Sequence, residues 1–238
     1  MKLAIMQPYF LPYAGYFQLI AAADVFVVYD NVKYTKKGWI NRNRYLRDGS
    51  AAAFTLPLRN DPDSLSIADR RIADDFDPAR LLNRLREAYR KAPGFEATLP
   101  LLESLLLDEE RRLFPFLHNS IRKICGHLGL GTPLVVSSSI PVDTDLRGKD
   151  RVLAICRHYG ATTYVNAIGG QGLYRDEDFA ARGIQLRFLK SRFLEYTQFA
   201  ADFVPWLSIV DVLMFNSIDR TRSYLESGYE LIRNESAR

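Results

Sequence analysis

Apolar residues open the chain in a short run, Lys2 to Met6, and stop at Gln7, Pro8 and Pro12, which predicts a buried strand delivering the chain into a stiff loop. Helical spacing takes over from Ala14 to Ala23, and the β-branched and aromatic run Val25 to Tyr29 predicts a second strand ending at Asp30. Strand, loop, helix, strand is an opening βαβ unit. Asn31 to Arg47 is polar and basic with interleaved aromatic residues, and Ala51 to Leu58 reads as a strand stopped by Pro57 and the Asn60–Pro62 turn. Three helical patterns follow, Pro78 to Arg90, Thr98 to Leu107 and Glu109 to Leu128. Alternation then resumes, with strands at Leu134 to Ser137, Thr162 to Ala167 and Ile184 to Leu189. Helices are expected at Lys149 to Tyr159, Asp176 to Ala181, Val204 to Leu213 and Arg220 to Arg233. The pattern predicts an α/β fold with a mostly parallel, Rossmann-like sheet and flanking helices, as a single domain over 1–238 with a helical insertion at about 76–130.

Charge changes this picture in one place. The net charge of +4 is small, but Lys33, Lys36, Lys37, Arg42, Arg44 and Arg47 follow one another with no acid before Asp48, enough for a local anion site. Near-balanced charge elsewhere, and no nucleic-acid motif, rank a small molecule above nucleic acid as the partner, although a tRNA-borne donor stays open. Cys125 and Cys156 lie in apolar helical patterns without metal-ligand spacing, and His118, His127 and His158 share none either, so no metal site is expected. The start MKLAIMQPYF does not read as a signal peptide, and no apolar run reaches the roughly 18 residues of a membrane span, which predicts a cytoplasmic protein.

Ligands of open parallel sheets lie beyond the carboxyl ends of the strands, here Gln7 to Gly15, Asp30 to Arg44, Ser137 to Thr144, Asn166 to Tyr174 and Lys190 to Tyr196. In the first loop, Gln7 and Pro8 lead to Tyr13, Gly15 and Tyr16, where glycine permits close backbone approach and tyrosines offer hydroxyls; a proline-rich turn over the core is the structural alternative. In the second, Asp30 stands near Lys36, Lys37, Arg42 and Arg44, with Tyr34, Trp39, Asn41 and Asn43 interspersed. That mixture suits a phosphate held by cations and a base or sugar stacked on a ring, with a solvated basic hairpin as the alternative. Asp30 would be a general base or a metal partner. The turn with Asn166, Gly169 and Gly170 can cradle a substrate but lacks P-loop spacing. Asp211 and Asn216 sit in an apolar segment, where a carboxylate must be paired or functional.

The first loop resembles that of the nucleotidyltransferase branch of the HUP-type fold, with Tyr13-Ala14-Gly15-Tyr16 where those proteins have a His-x-Gly-His turn; two tyrosines replace the charge-stabilising histidines. Along the whole chain, the text resembles the WbqC-like family: Gln7-Pro8, Pro12, Gly15-Tyr16, Asp24, Asp30, Tyr34, Trp39 and Asn41-Arg42-Asn43, then GATTYVNAIGGQGLY, then GIQLRFLKSRFLEYTQ and LSIVDVLMFN. Asn166, Ala167 and Ile168 depart from the Tyr-Leu-Ser-Gly type of turn that relatives carry there. The resemblance implies a role in bacterial surface-glycan (O-antigen type) biosynthesis. Its expected form is acyl or aminoacyl (glycyl) transfer, or ATP-dependent amide ligation using Mg²⁺, onto a nucleotide-linked amino sugar. Nucleotidyl transfer and non-catalytic sugar-nucleotide binding are the alternatives.

Overall fold

The computed structural model describes residues 1–192, 194–200 and 202–234. A six-stranded sheet runs in the order β5 (Leu134–Val136), β2 (Val25–Val28), β1 (Lys2–Met6), β6 (Thr163–Ala167), β7 (Gln185–Ser191), β8 (Tyr229–Ile232). The first five pair in parallel and β8 is antiparallel to β7. Read along the chain, the parallel strands wind outward from β1 to one edge through β2 and β5, then to the other through β6 and β7. The winding reverses between β1 and β6, the Rossmann-like arrangement that opens a crevice at the strands' carboxyl ends.

β1 reads as a continuous apolar run because both its faces are covered. Ala4 enters one core with α1 (Ala14–Ala21), α4 (Leu113–Leu128) and α8 (Ile218–Ser227), while Leu3 and Ile5 enter a second with α5 (Gly148–His158) and α6 (Asp176–Ala180). Between β4 (Ser50–Thr55) and β5 lie α2 (Pro78–Tyr89), α3 (Phe95–Leu106) and α4, whose inward leucines join the first core. Pro78 follows the Asp77 cap, whose carboxylate accepts from the Arg80 amide at 2.9 Å, and α4 ends where Gly129 turns left-handed at φ 67°. No helix among the described residues is long and apolar enough to cross a membrane.

Three elements differ from the sequence expectation. The basic stretch continues into β3 (Arg42–Arg47), which pairs antiparallel with β4 across the Asp48-Gly49 turn. Its alternation is real but polar: Asn43 is an inward residue, buried because its amide donates to the carbonyls of Phe10 at 3.3 Å and Leu11 at 2.8 Å. The expected helix Arg220 to Arg233 ends at Ser227, and Tyr229–Ile232 becomes β8. Gln18, fully buried, captures that helix end, its Nε2 donating to the Gly228 carbonyl at 2.8 Å. The expected helix from Val204 begins only at Ile209, as α7 (Ile209–Phe215), because Ser208 is its cap and also donates to the Leu11 carbonyl at 2.7 Å.

One buried carboxylate ties these parts together. Asp211 on α7 is fully buried, and accepts from Tyr89 Oη of α2 at 2.8 Å, Tyr196 Oη at 2.6 Å and Gln198 Nε2 at 2.8 Å. Tyr89 Oη accepts in turn from the Leu46 amide of β3 at 2.8 Å, and Gln198 Oε1 accepts from the Val204 amide at 2.8 Å. Removing the acceptor strands three donors, so Asp211→Ala is expected to cost about 3 kcal/mol, read as a lower urea midpoint. Burial raises the Asp211 carboxyl above its ordinary 3.8, against the lowering effect of its donors. The folded protein therefore takes up this proton where the unfolded chain has released it. The associated stability is complete below the unfolded value and is lost as pH rises through the raised folded value. Relative to Asp211→Asn, wild type should gain stability toward acid; a difference flat across that window would refute the shift.

Candidate functional site

A cavity of about 560 Å³ opens at the crevice between β1 and β6. Met6 and Gln7 leave the end of β1 into it, Tyr29 stands beyond β2, and Asn166, Ala167, Gly169 and Gly170 come from the end of β6 and the 3₁₀ turn that follows. Its remaining walls include Tyr9, Tyr13, Gly15 and Tyr16 of the first loop and helix, Trp39, Asn43 and Arg44 of the basic segment, Leu173 and Tyr174, and Trp206. The size is that of ordinary small-ligand sites.

The walls are held in place by hydrogen bonds between distant segments. Ser208 donates its amide to the Arg44 carbonyl at 2.8 Å, Ile209 donates to the Pro12 carbonyl at 2.8 Å, and Phe10 donates to the Ile40 carbonyl at 2.9 Å. Leu11, at φ 44°, is left-handed, a conformation that costs a branched residue about 1–2 kcal/mol. Its carbonyl, accepting from Asn43 and Ser208 together, holds it there. Trp206 is also left-handed at φ 60°, 54 % exposed, and lies edge-on to Tyr13 with centroids 6.3 Å apart. Strain at one wall residue, Trp206, and at buried Leu11 within the first loop fits a site whose geometry is imposed rather than relaxed.

Arg44 is the cation among the described lining residues. Its guanidinium lies 5.3 Å from the Trp39 ring centroid, and its Nη2 donates to the Trp206 carbonyl at 3.4 Å, while its Nε is buried without a partner. The tyrosines are neutral hydroxyls at physiological pH. Burial, then Tyr13, pushes Tyr9 up to about 12, and burial, then Tyr9, holds Tyr16 well above its ordinary range. Tyr16 Oη is buried with no protein partner, a hydroxyl that a ligand can satisfy. A Cβ at Gly15 would crowd the Tyr13 ring at Cε2 and lie 2.9 Å from Ser191 Oγ, so those side chains would have to shift. Gly170 is similar, its Cβ falling 2.4 Å from Asn166 Nδ2. A second recess of about 40 Å³ shares the Tyr13, Gly15 and Trp206 walls and is lined also by Ser191, Arg192, Tyr196 and Tyr224.

Of the residues singled out in the sequence, the cavity brings together Gln7, Tyr13, Gly15, Tyr16, Trp39, Arg44, Asn166, Gly169 and Gly170. The others stand elsewhere. Asp30 is 3 % exposed and is not on the lining; its Oδ1 accepts from Ser137 Oγ at 3.1 Å and the Ser138 amide at 2.9 Å, so it fastens β2 to β5. Tyr34 Oη donates to Asn41 Oδ1 at 2.8 Å within the loop, and Asn41 Nδ2 donates to the Leu56 carbonyl at 2.8 Å, tying the loop to the chain after β4. Arg42 donates to the carbonyls of Gly38 and Lys36, and Lys36 pairs with Asp63 at 2.7 Å in solvent. Pro8 is buried off the lining, and Lys37 is exposed. Asn43, read with the basic segment, is on the wall as well, and sequence reasoning missed Tyr9, Tyr29, Tyr174 and Trp206. Tyr9 and Tyr29 adjoin residues that were read, but nothing local marks Trp206, whose place depends on a turn set by Ser208.

The model of the WbqC-like protein family matches residues 7–223. The chain belongs to that family. It is similar to the uncharacterized protein Rv1507c of Mycobacterium tuberculosis, at 29 % identity over 228 residues that cover 94 % of this chain and 97 % of the relative. No solved structure matches it. The family match spans the whole cavity lining from Gln7 to Trp206, and excludes only Ile5 and Met6.

Both tryptophans of the chain line the cavity, so their emission reports on it. Gly15→Ala is expected to push the Tyr13 ring toward Trp206, change tryptophan emission and cost about 1–3 kcal/mol by overpacking. Unchanged emission and stability would show that the ring has room to spare.

Proposed function

We propose that this chain binds a nucleotide-linked amino sugar in the cavity beyond β1 and β6 and joins an acyl or aminoacyl group to the sugar nitrogen, in the assembly of a bacterial surface glycan. The observation that carries this reading is an aromatic-walled cavity at the reversal of the sheet with Arg44 set against Trp39. Trp39, Trp206 and Tyr13 offer faces for a base or a pyranose ring, Arg44 offers a charge-assisted contact to an anion, and the amides of Gln7 and Asn166 can read ring edges. The glycan context comes from the family resemblance.

No carboxylate, histidine or cysteine stands among the described lining residues, so the site suits chemistry that needs positioning more than proton abstraction. Aminolysis of a thioester or an aminoacyl ester is such a reaction. The amine nitrogen attacks the acyl carbon, a C–N bond forms, the C–S or C–O bond to the carrier breaks, and the departing thiolate or alkoxide takes the proton that the amine loses. The unpartnered Tyr16 hydroxyl can donate to the acyl oxygen as charge develops there. The recess past Tyr13 has room for about three water-sized groups, the scale of a glycyl unit. The lining does not fit Mg²⁺-ATP, because Mg²⁺ is held by one or two carboxylates besides the phosphates and Asp30 is committed to Ser137 and Ser138. The same absence of carboxylate, histidine and cysteine among the described lining residues favours, as a second reading, binding without turnover, which product formation from a thioester donor separates from the first.

Calorimetric titration with UDP- and dTDP-linked amino sugars tests the reading. Trp39→Ala and Arg44→Gln are each expected to weaken binding about tenfold, the value of one lost stacking or charge-assisted contact. Silence of wild type toward every sugar nucleotide would remove it.

A further inference from the structure

Among the described residues four asparagines are buried, Asn41, Asn43, Asn166 and Asn216. Three of them give their side-chain N–H groups to backbone carbonyls: Asn41 to Leu56 at 2.8 Å, Asn43 to Leu11 at 2.8 Å and Asn216 to Val212 at 2.9 Å. Asn166, near the end of β6 and 6 % exposed, does not. Its Oδ1 accepts from the Ala167 amide at 2.8 Å, which only an oxygen can do, so the orientation of the side chain is fixed and Nδ2 is its free end. Nδ2 meets no acceptor among the described residues, yet it is not closed off from solvent, and the space it opens to is the cavity that Asn166 lines. Gly170 keeps that position open, because a Cβ there would fall on Nδ2. Two N–H donors are thus presented to the cavity by a side chain whose other end is tied.

A further donor comes from the neighbouring strand. β1 leads through the first loop into α1, whose start has no side-chain cap and no acid in its first turn. The Gly15 amide in that turn has no acceptor among the described residues, and Gly15 lines the same cavity as Asn166. α1 packs on β6, so the helix start and the end of β6 flank the point where the sheet reverses. No described lining residue is acidic, and the charge that the lining carries is the guanidinium of Arg44. A free amide at a helix start, a fixed side-chain amide and a cation, with no opposing carboxylate, form a donor set suited to a phosphate.

We infer that Asn166 Nδ2, with the Gly15 amide at the start of α1, holds a phosphate of the bound ligand at the inner wall of the cavity. That the phosphate belongs to a nucleotide sugar rests on the reading above, whereas the anion site stands on the geometry alone. Asn166 then serves the charged part of the ligand, and Gln7 is left to read ring edges. Charge along the sequence pointed to the basic segment instead, where Lys36 is paired with Asp63 and Arg42 with backbone carbonyls.

Inorganic pyrophosphate, UDP and uridine are titrated calorimetrically into wild type, Asn166→Asp and Gly170→Ala, and the melting temperature of each ligand-free protein is measured. Asn166→Asp keeps an oxygen to accept from the Ala167 amide and sets a second, charged oxygen where Nδ2 stood. Wild type is expected to bind pyrophosphate and UDP, and Asn166→Asp to lose about tenfold or more for both, with the response to uridine and the melting temperature unchanged. Gly170→Ala leaves Asn166 in the chain but displaces Nδ2, and should weaken pyrophosphate in the same direction. Equal binding of pyrophosphate and UDP by wild type and Asn166→Asp overturns the inference, as does failure of wild type to bind either. A loss of uridine as large as that of UDP also overturns it, because Asn166 then reads a neutral oxygen. If Asn166→Asp melts far below wild type, Gly170→Ala decides, and unchanged pyrophosphate affinity there overturns the inference. Asn166-dependent pyrophosphate binding without any response to UDP-linked amino sugars would sink the nucleotide-sugar reading and leave the anion site standing.

Discussion

A carboxylate sealed from water, Asp211, fixes the relation between the parts of this protein that matter for a ligand. Its three donors come from α2 and from the segment ahead of α7, and through Tyr89 the network reaches the backbone of β3. Arg44 lies on that strand and Trp206 on that segment, so two cavity walls are positioned by a charge that is not itself in the cavity. Such a group has little tolerance for partial satisfaction, because in a low dielectric a lost partner costs more than the bond contributed. The arrangement gives the site rigidity from behind.

The parallel sheet was legible in the chain because apolar runs such as Leu3 to Ile5 and Val25 to Val28 are buried on both faces and carry no competing signal. Strand β3 was not, since its inward positions include Asn43, whose burial is compensated by carbonyls more than thirty residues away in the chain. The end of α8 was hidden for the same kind of reason: only the fold brings Gln18 to the Gly228 carbonyl. Tertiary hydrogen bonds overrode local periodicity in both places.

The first loop and the glycine turn after β6 were readable as ligand-facing text because topology places them at strand ends, and the cavity includes both. Within the basic segment, charge alone could not separate residues that face a ligand from residues that hold the loop. Arg44 and Trp39 are on the wall; Tyr34 and Arg42 spend their donors on the segment itself, and Asn41 donates to the Leu56 carbonyl just past β4. That division depends on the twist of a hairpin, which spacing does not express.

The position of β1 has a consequence for how the molecule comes into being. Strand β1, made before the other strands of this sheet, lies in its middle, and its second neighbour, β6, is encoded some 160 residues later, with Trp206 and Ser208 later still. During synthesis Gln7 to Tyr16 must wait, with their aromatic side chains exposed, until the last quarter of the chain leaves the ribosome and closes over them. Contacts of such long sequence separation form slowly, because the chain between must be confined before they give anything back. The cavity is thus among the last features to exist in a newborn copy, and any chain cut short before Ser208 would have most of its strands and no working pocket.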